Sequence, residues 1–260
     1  MLPYFSFTSF KIGPVNVYTL GLFLGLGVIT SFLYLLKIGK KQGLTSDLAF
    51  NLFLWILVGI ILGSRIGFII QFPIYYLKNP IEIFKITEGG ITFYGGLLGG
   101  FLAFWLYFRI KKVSSDLFWK TADWISLSVP LGIIVGRIGC FLINDHQGRE
   151  TNLPWGIIWP DGVTRHPVAL YLILNGAVLF IILNAAIKYF KKPGQVFWLF
   201  LFLYGLTRFF LDFTRSKGTE LSDPLFLTFS FSQWISLTIS FFAGYRLLVN
   251  NILRSKNSPQ

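Results

Sequence analysis

Cysteine is almost missing from this chain. Cys140 is the single copy in 260 residues. That excludes an intramolecular disulfide and any metal site built from several thiolates. Two histidines, His146 and His166, are too few for a histidine-rich metal centre, and no motif asks for a cofactor. Charge is scarce as well. Only 13% of residues are charged, against about 25% in ordinary soluble chains. Acidic residues are fewer than basic ones, 11 against 23, which leaves a net charge of +12. No internal repeat is visible, which argues against an inverted-repeat transporter.

What is present in quantity is apolar. Hydrophobic residues make up 54% of the chain and aromatics 18%, and the mean hydropathy is +0.65. The apolar residues fall in blocks of about 18 to 25, the length that spans a bilayer core. These blocks predict helices over 16–37, 48–72, 91–109, 123–143, 167–189, 195–213 and 226–249. The expected fold is therefore an all-α integral membrane protein with seven transmembrane helices. It is one polytopic domain, 1–260, with a polar outer loop at 143–166. The first block lacks a basic leader and a small-residue cleavage site, so it reads as a retained helix.

The distribution of charge orients the helices. Segments 37–47, 109–123, 188–194 and 246–260 hold 13 of the 23 Lys and Arg residues, and the alternate segments hold 7. Positive charge gathers on the cytoplasmic side, which puts the N-terminus outside and the C-terminus inside. Anionic lipid at that surface accounts for the positive charge, and no nucleic-acid partner is implied.

Three basic residues remain inside the predicted helices: Arg65 in LGSRIGF, Arg137 in VGRIGCF and Arg208 in YGLTRFF. Each lies a few residues from the outer end of its helix, roughly 8–10 Å below the interface at 1.5 Å per residue. A charge at that depth costs about 2.5 kcal/mol or more and usually faces a cavity or a partner. One reading is structural, with each arginine snorkelling or pairing with a carboxylate such as Asp212. The other is a shared anion site, because guanidinium offers phosphate a bidentate fork and stays charged. The anion at that level of a bilayer is a phospholipid head group. The glycines of EGGITFYGGLLGG suit either close helix packing or a backbone that approaches a ligand. The loop after Arg137 places Asn144, Asp145, His146, Gln147, Arg149 and Glu150 within seven positions, and LPWG then turns it.

These stretches carry a resemblance. GRIGCFL-x5-GR-x-TNLPWG, followed by RHP-x-x-LY, resembles the signature region of the prolipoprotein diacylglyceryl transferase family. VYTLGLFLGLG, GSRIGF, GGITFYGGLLGG and YGLTRFFLDFTR match further segments of that family in the same order. The resemblance implies an enzyme of the bacterial inner (cytoplasmic) membrane. It would move the diacylglyceryl group of phosphatidylglycerol onto the lipobox cysteine thiol of a preprolipoprotein and release glycerol phosphate. Its partners would be those two substrates and membrane lipid, with no cofactor, and a monomer is the default state. Carried over residue by residue, Arg137 and Arg208 bind the phosphate or stabilise its departure, with Arg65 as the third cation. Tyr18 and Gly148 shape the head-group site, Arg149 and Asp145 support the outer loop, and Asp212 orients an arginine.

The chain also departs from the family pattern. Tyr94 stands where many members carry a histidine regarded as the base, and His146 is an alternative base. Cys140 and Ile143 replace asparagines, and Ala169 and Leu172 replace a glutamine and a glutamate. A catalytically altered paralogue or a non-enzymatic lipid-binding or transport protein is the competing expectation. A Cys140–His146 nucleophile pair is disfavoured, because a buried cysteine is more often inert packing.

Overall fold

The computed structural model describes residues 1–85, 90, 92–145, 147–216 and 225–256. The chain is mostly helical. Its helices are α1 (Thr19–Lys40), α2 (Ser46–Gln71), the short α3 (Pro73–Lys78), α4 (Phe93–Ile110), α5 (Ser115–Ile143), α6 (Val168–Ala186), α7 (Gln195–Leu211) and α8 (Phe231–Lys256). Among the described residues, five stretches are long and apolar enough to cross a membrane: Thr19–Lys40, Ser46–Gln71, Ser115–Ile143, Val168–Ala186 and Gln195–Thr214. Large apolar side chains such as Leu33, Leu62, Ile66 and Ile70 are exposed on them. In water such a surface would aggregate, whereas lipid tails solvate it.

The all-α expectation needs one correction. Short strands stand at the helix ends: β1 (Leu2–Pro3), β2 (Ser9–Ile12), β3 (Val15–Tyr18), β4 (Ile157–Ile158), β5 (Thr164–Arg165), β6 (Leu225–Phe226) and β7 (Phe229–Ser230). β1 pairs in parallel with β4, with Leu2 opposite Ile157, and β4 pairs antiparallel with β5. β2–β3 and β6–β7 are hairpins. Loop backbone without a helical ladder must find partners elsewhere, and these strands supply them. They also move two helix starts. The first helix begins at Thr19, not 16, because Val15–Tyr18 pairs with β2. The last begins at Phe231, not 226, where Ser230 and Gln233 form a capping box: Gln233 N donates to Ser230 Oγ at 3.2 Å, and Ser230 N to Gln233 Oε1 at 2.9 Å.

Two compact units can be distinguished, Leu36–Phe118 and Met1–Leu35 with Trp119–Gln260. In the first, α2 and α4 pack backbone to backbone along a glycine seam. A Cβ built on Gly59 would meet the Gly99 carbonyl oxygen at 2.6 Å, and one on Gly63 would meet Gly99 Cα at 2.7 Å. Gly95 and Gly99 of GGITFYGGLLGG therefore serve helix packing. In the second unit α7 packs on α6 and α8. α1 approaches α5 where a Cβ on Gly27 would meet the Gly132 carbonyl oxygen at 2.7 Å.

Candidate functional site

α7 ends at Leu211, and Asp212–Thr214 tighten into a single 3-10 turn. Arg208, Asp212 and Arg215 are spaced four and three residues apart, so their side chains meet. Arg208 Nη2 lies 3.3 Å and Arg215 Nη1 3.4 Å from Asp212 Oδ1. Asp212 is 3% exposed. A buried carboxylate persists only with full partnership. Ser230 Oγ donates to its Oδ2 at 2.5 Å and Ser232 Oγ to its Oδ1 at 3.2 Å. The two serines were absent from the sequence-derived candidates. The Ser-x-x-Gln capping pattern at 230–233 was the available signal, although nothing in it points to Asp212.

Two guanidinium groups thus share one carboxylate. Arg208 Nη1 is buried without a hydrogen-bond partner. An orphaned buried donor costs about 1–3 kcal/mol, more when it is charged, which an anionic oxygen placed there would recover. Arg137, half-buried near the end of α5, points Nη1 at Cys140 Sγ at 3.6 Å. Sulfur is a weak acceptor. Among the described residues no carboxylate forms an ion pair with Arg137.

The polar loop is bridged on both sides. Gly148 bridges antiparallel to Arg215, and Glu150 to Arg165. Arg149 N donates to Thr214 O at 2.8 Å, Ser216 N to Gln147 O at 3.1 Å, and His166 N to Arg149 O at 2.9 Å. Gly148 has to be glycine because a Cβ there would run into the backbone of His166. The chain around His166 is fixed in turn. Trp155 Nε1 donates to Tyr171 Oη at 2.8 Å, and that hydroxyl lies 3.0 Å from His166 Nδ1. The Tyr171 hydroxyl thus accepts from Trp155 and pairs with the imidazole of His166. Burial, and secondly the Arg149 charge, push the His166 pKa down, so the ring is neutral at physiological pH. Next to it Arg165 grips Asp161 with both fork nitrogens, at 2.7 and 2.6 Å. That hydrogen bonding, reinforced by the Val163 N–H, holds the Asp161 carboxyl at about 2.

The remaining candidates are spread out. Tyr18 ends the β2–β3 hairpin and is 68% exposed. Asp145 is exposed, and its backbone N–H reaches Cys140 O at 3.1 Å. His146 lies outside the described residues. Tyr94, half-buried, is the second residue of α4 and belongs with Arg65 to the Leu36–Phe118 unit. Arg65 is 5% exposed. Its Nε donates to Ile83 O at 3.0 Å, its Nη1 to Gly90 O at 3.1 Å and its Nη2 to Glu82 O, while the guanidinium sits 5.4 Å over the Tyr76 ring. It clamps the turn after α3 to α2.

Comparison with known proteins identifies the family. A family model described as prolipoprotein diacylglyceryl transferase matches residues 8–249. A phosphatidylglycerol–prolipoprotein diacylglyceryl transferase of Bordetella avium is 36% identical over 265 residues, covering 99% of this chain and 98% of the relative. The proteins of the same name from Geobacter sulfurreducens and Wolbachia pipientis are 36% and 35% identical. They cover 86% and 88% of this chain, and 93% and 88% of their own lengths. The chain belongs to the prolipoprotein diacylglyceryl transferase family.

Proposed function

We propose that this chain transfers the diacylglyceryl group of phosphatidylglycerol to the lipobox cysteine thiol of a preprolipoprotein, forming a thioether and releasing glycerol phosphate. The observation that carries the reading is the buried, unpartnered Nη1 of Arg208 beside a carboxylate it shares with Arg215. The names of the relatives support it. The substrate sulfur is the nucleophile, so the protein needs none of its own. The S–C bond forms as the C–O bond to phosphate breaks, and the thiol proton passes to a base or to the departing phosphate. Negative charge builds on the leaving group, and preorganised donors stabilise it there without reorganising. Arg208 and Arg137 take that task, and Asp212 fixes the rotamer of Arg208. Gly148, Arg149 and Asp145 form the wall that holds the head group, and Tyr18 lies at its edge. Arg65 stays outside the phosphate pair, because its donors already serve carbonyl groups.

Tyr94 is proposed as the base in place of the family histidine. An ordinary tyrosine, with pKa about 10, needs cationic neighbours for that role. The chain is proposed to cross the bacterial inner membrane seven times as one polytopic domain and a monomer, with its N-terminus outside.

Purified protein incubated with phosphatidylglycerol and a lipobox peptide tests the reading by mass spectrometry. The peptide is expected to gain one diacylglyceryl group, and Arg208→Ala is expected to abolish the gain. Phosphatidylglycerol binding with an unchanged peptide mass would favour the altered paralogue.

A further inference from the structure

Asp123 was no candidate from the sequence, yet it is a buried carboxylate away from the cationic cluster that bonds to backbone far along the chain. It sits on α5, 8% exposed. Its Oδ2 accepts the Gly194 N–H at 2.7 Å and its Oδ1 the Phe197 N–H at 2.7 Å. These are first-turn donors of α7, which no intrahelical carbonyl can satisfy. Gly194, the residue before the helix, has no side chain to cap it, so a carboxylate from α5 does so across the gap. Trp119 packs over the same spot, with its ring 5.7 Å from that of Trp198.

The two helices run in the same direction. The start of α7 meets α5 at Asp123. The loop after α5 pairs with the turn after α7, through Arg149 N to Thr214 O and Ser216 N to Gln147 O. Counting from the clamp gives equal lengths: Arg137 lies fourteen residues beyond Asp123, and Arg208 fourteen beyond Gly194. At 1.5 Å per residue each arginine stands about 21 Å along its helix. Pro130, on this stretch of α5, deprives it of one backbone bond, so α5 alone fixes the level less firmly than a continuous ladder would.

We infer that Asp123 is a positioning residue: its carboxylate clamps the start of α7 to α5 and so sets the axial register that brings Arg137 and Arg208 to one level. The inference rests on the phosphate role proposed for that pair. A slip of one residue moves one guanidinium by about 1.5 Å against the other, and an error near 1 Å can cost about 100-fold in rate.

The test is Asp123→Asn in the full-length protein, beside Leu183→Ala, a fully buried position on α6, as a control that loses stability by a route away from the clamp. The amide group replaces one acceptor by a donor facing an N–H. For Asp123→Asn, kcat in the peptide assay is expected to fall about 10- to 100-fold, with KM for phosphatidylglycerol within about threefold. Amide exchange is expected to quicken at Gly194 and Phe197 and also at the far ends, at Arg149 and Ser216. Leu183→Ala keeps the far-end protection and most of kcat. Faster exchange confined to Gly194–Phe197, or a loss of kcat no larger than that of Leu183→Ala at matched Tm, overturns the inference. If the unaltered protein transfers nothing to the peptide, the functional reading fails, and exchange at Arg149 and Ser216 still decides the register.

Discussion

Arg65 and Arg208 look alike in the sequence, each a lone cation in an apolar helix near glycines. Their surroundings differ. In the Leu36–Phe118 unit, Arg65 spends its donors on three backbone carbonyls and lies over Tyr76. In the other unit, Arg208 shares one carboxylate with a second arginine and leaves Nη1 without an acceptor. The first arrangement is satisfied and rigid. The second leaves one buried donor without an acceptor, as a site for an anion should. Depth in an apolar helix marks a cation as costly, but only its partners show whether the cost is already offset.

The largest expected effect falls on Arg208. Arg208→Ala should reduce transfer to the lipobox peptide by about 10²- to 10³-fold, the usual loss for a donor aimed at developing charge. Its Tm should fall as well, because the buried Asp212 loses its Arg208 partner, so turnover is compared per folded molecule. Arg208→Lys keeps the charge and loses the fork, so it should recover only part of the rate. Arg65→Met should cost stability alone. Three carbonyls lose a donor, for about 2–4 kcal/mol of stability by thermal or denaturant unfolding, with kcat per folded molecule close to the original. A Tm left intact with lost turnover would move Arg65 into the site and end the contrast.

Gly148→Ala comes next. A methyl group there presses on the His166 backbone, so the loop beside Arg215 must shift. About 1–3 kcal/mol of stability should go, with a clear loss of turnover. Gly96→Ala, where a Cβ would press most closely on the Ser64 side chain of α2, should lose less turnover.

The smallest effect is the dependence on pH. His166 has its pKa pushed down in the folded protein, first by burial and then by Arg149. The unfolded chain therefore takes up this proton first. Stability from His166 is complete above about pH 6.5 and declines as pH falls below it. Asp161 acts lower. Held at about 2 by Arg165, it contributes above about pH 4 and loses that contribution as pH falls toward 2. Tm measured from pH 7.5 down to 5 should show the first decline, and His166→Gln should flatten it.

Much of the fold was legible because it follows from solvent. Apolar blocks of spanning length, and the arginines that break them, are local facts. So is the Arg208, Asp212, Arg215 spacing, since residues three and four apart on a helix are neighbours. The cap at Ser230 was legible as a pattern, but its second duty toward Asp212 was not. Asp123 gave no signal, because its partners are backbone N–H groups seventy residues away that any sequence would present. The short strands were hidden for the same reason, since backbone pairing depends little on side-chain identity.

By itself, then, the amino-acid order determined a multi-helix chain suited to lipid, the family motifs, and the cations and polar loop from which a phosphate site could be built. The tertiary structure decided which arginine is already satisfied and which is left wanting an anion, why Gly148 tolerates no side chain, and what links the start of α7 to α5. The reason is physical: hydrophobicity and helix periodicity are carried by each residue and its near neighbours, whereas a hydrogen bond to a distant backbone group exists only once the chain has folded around it.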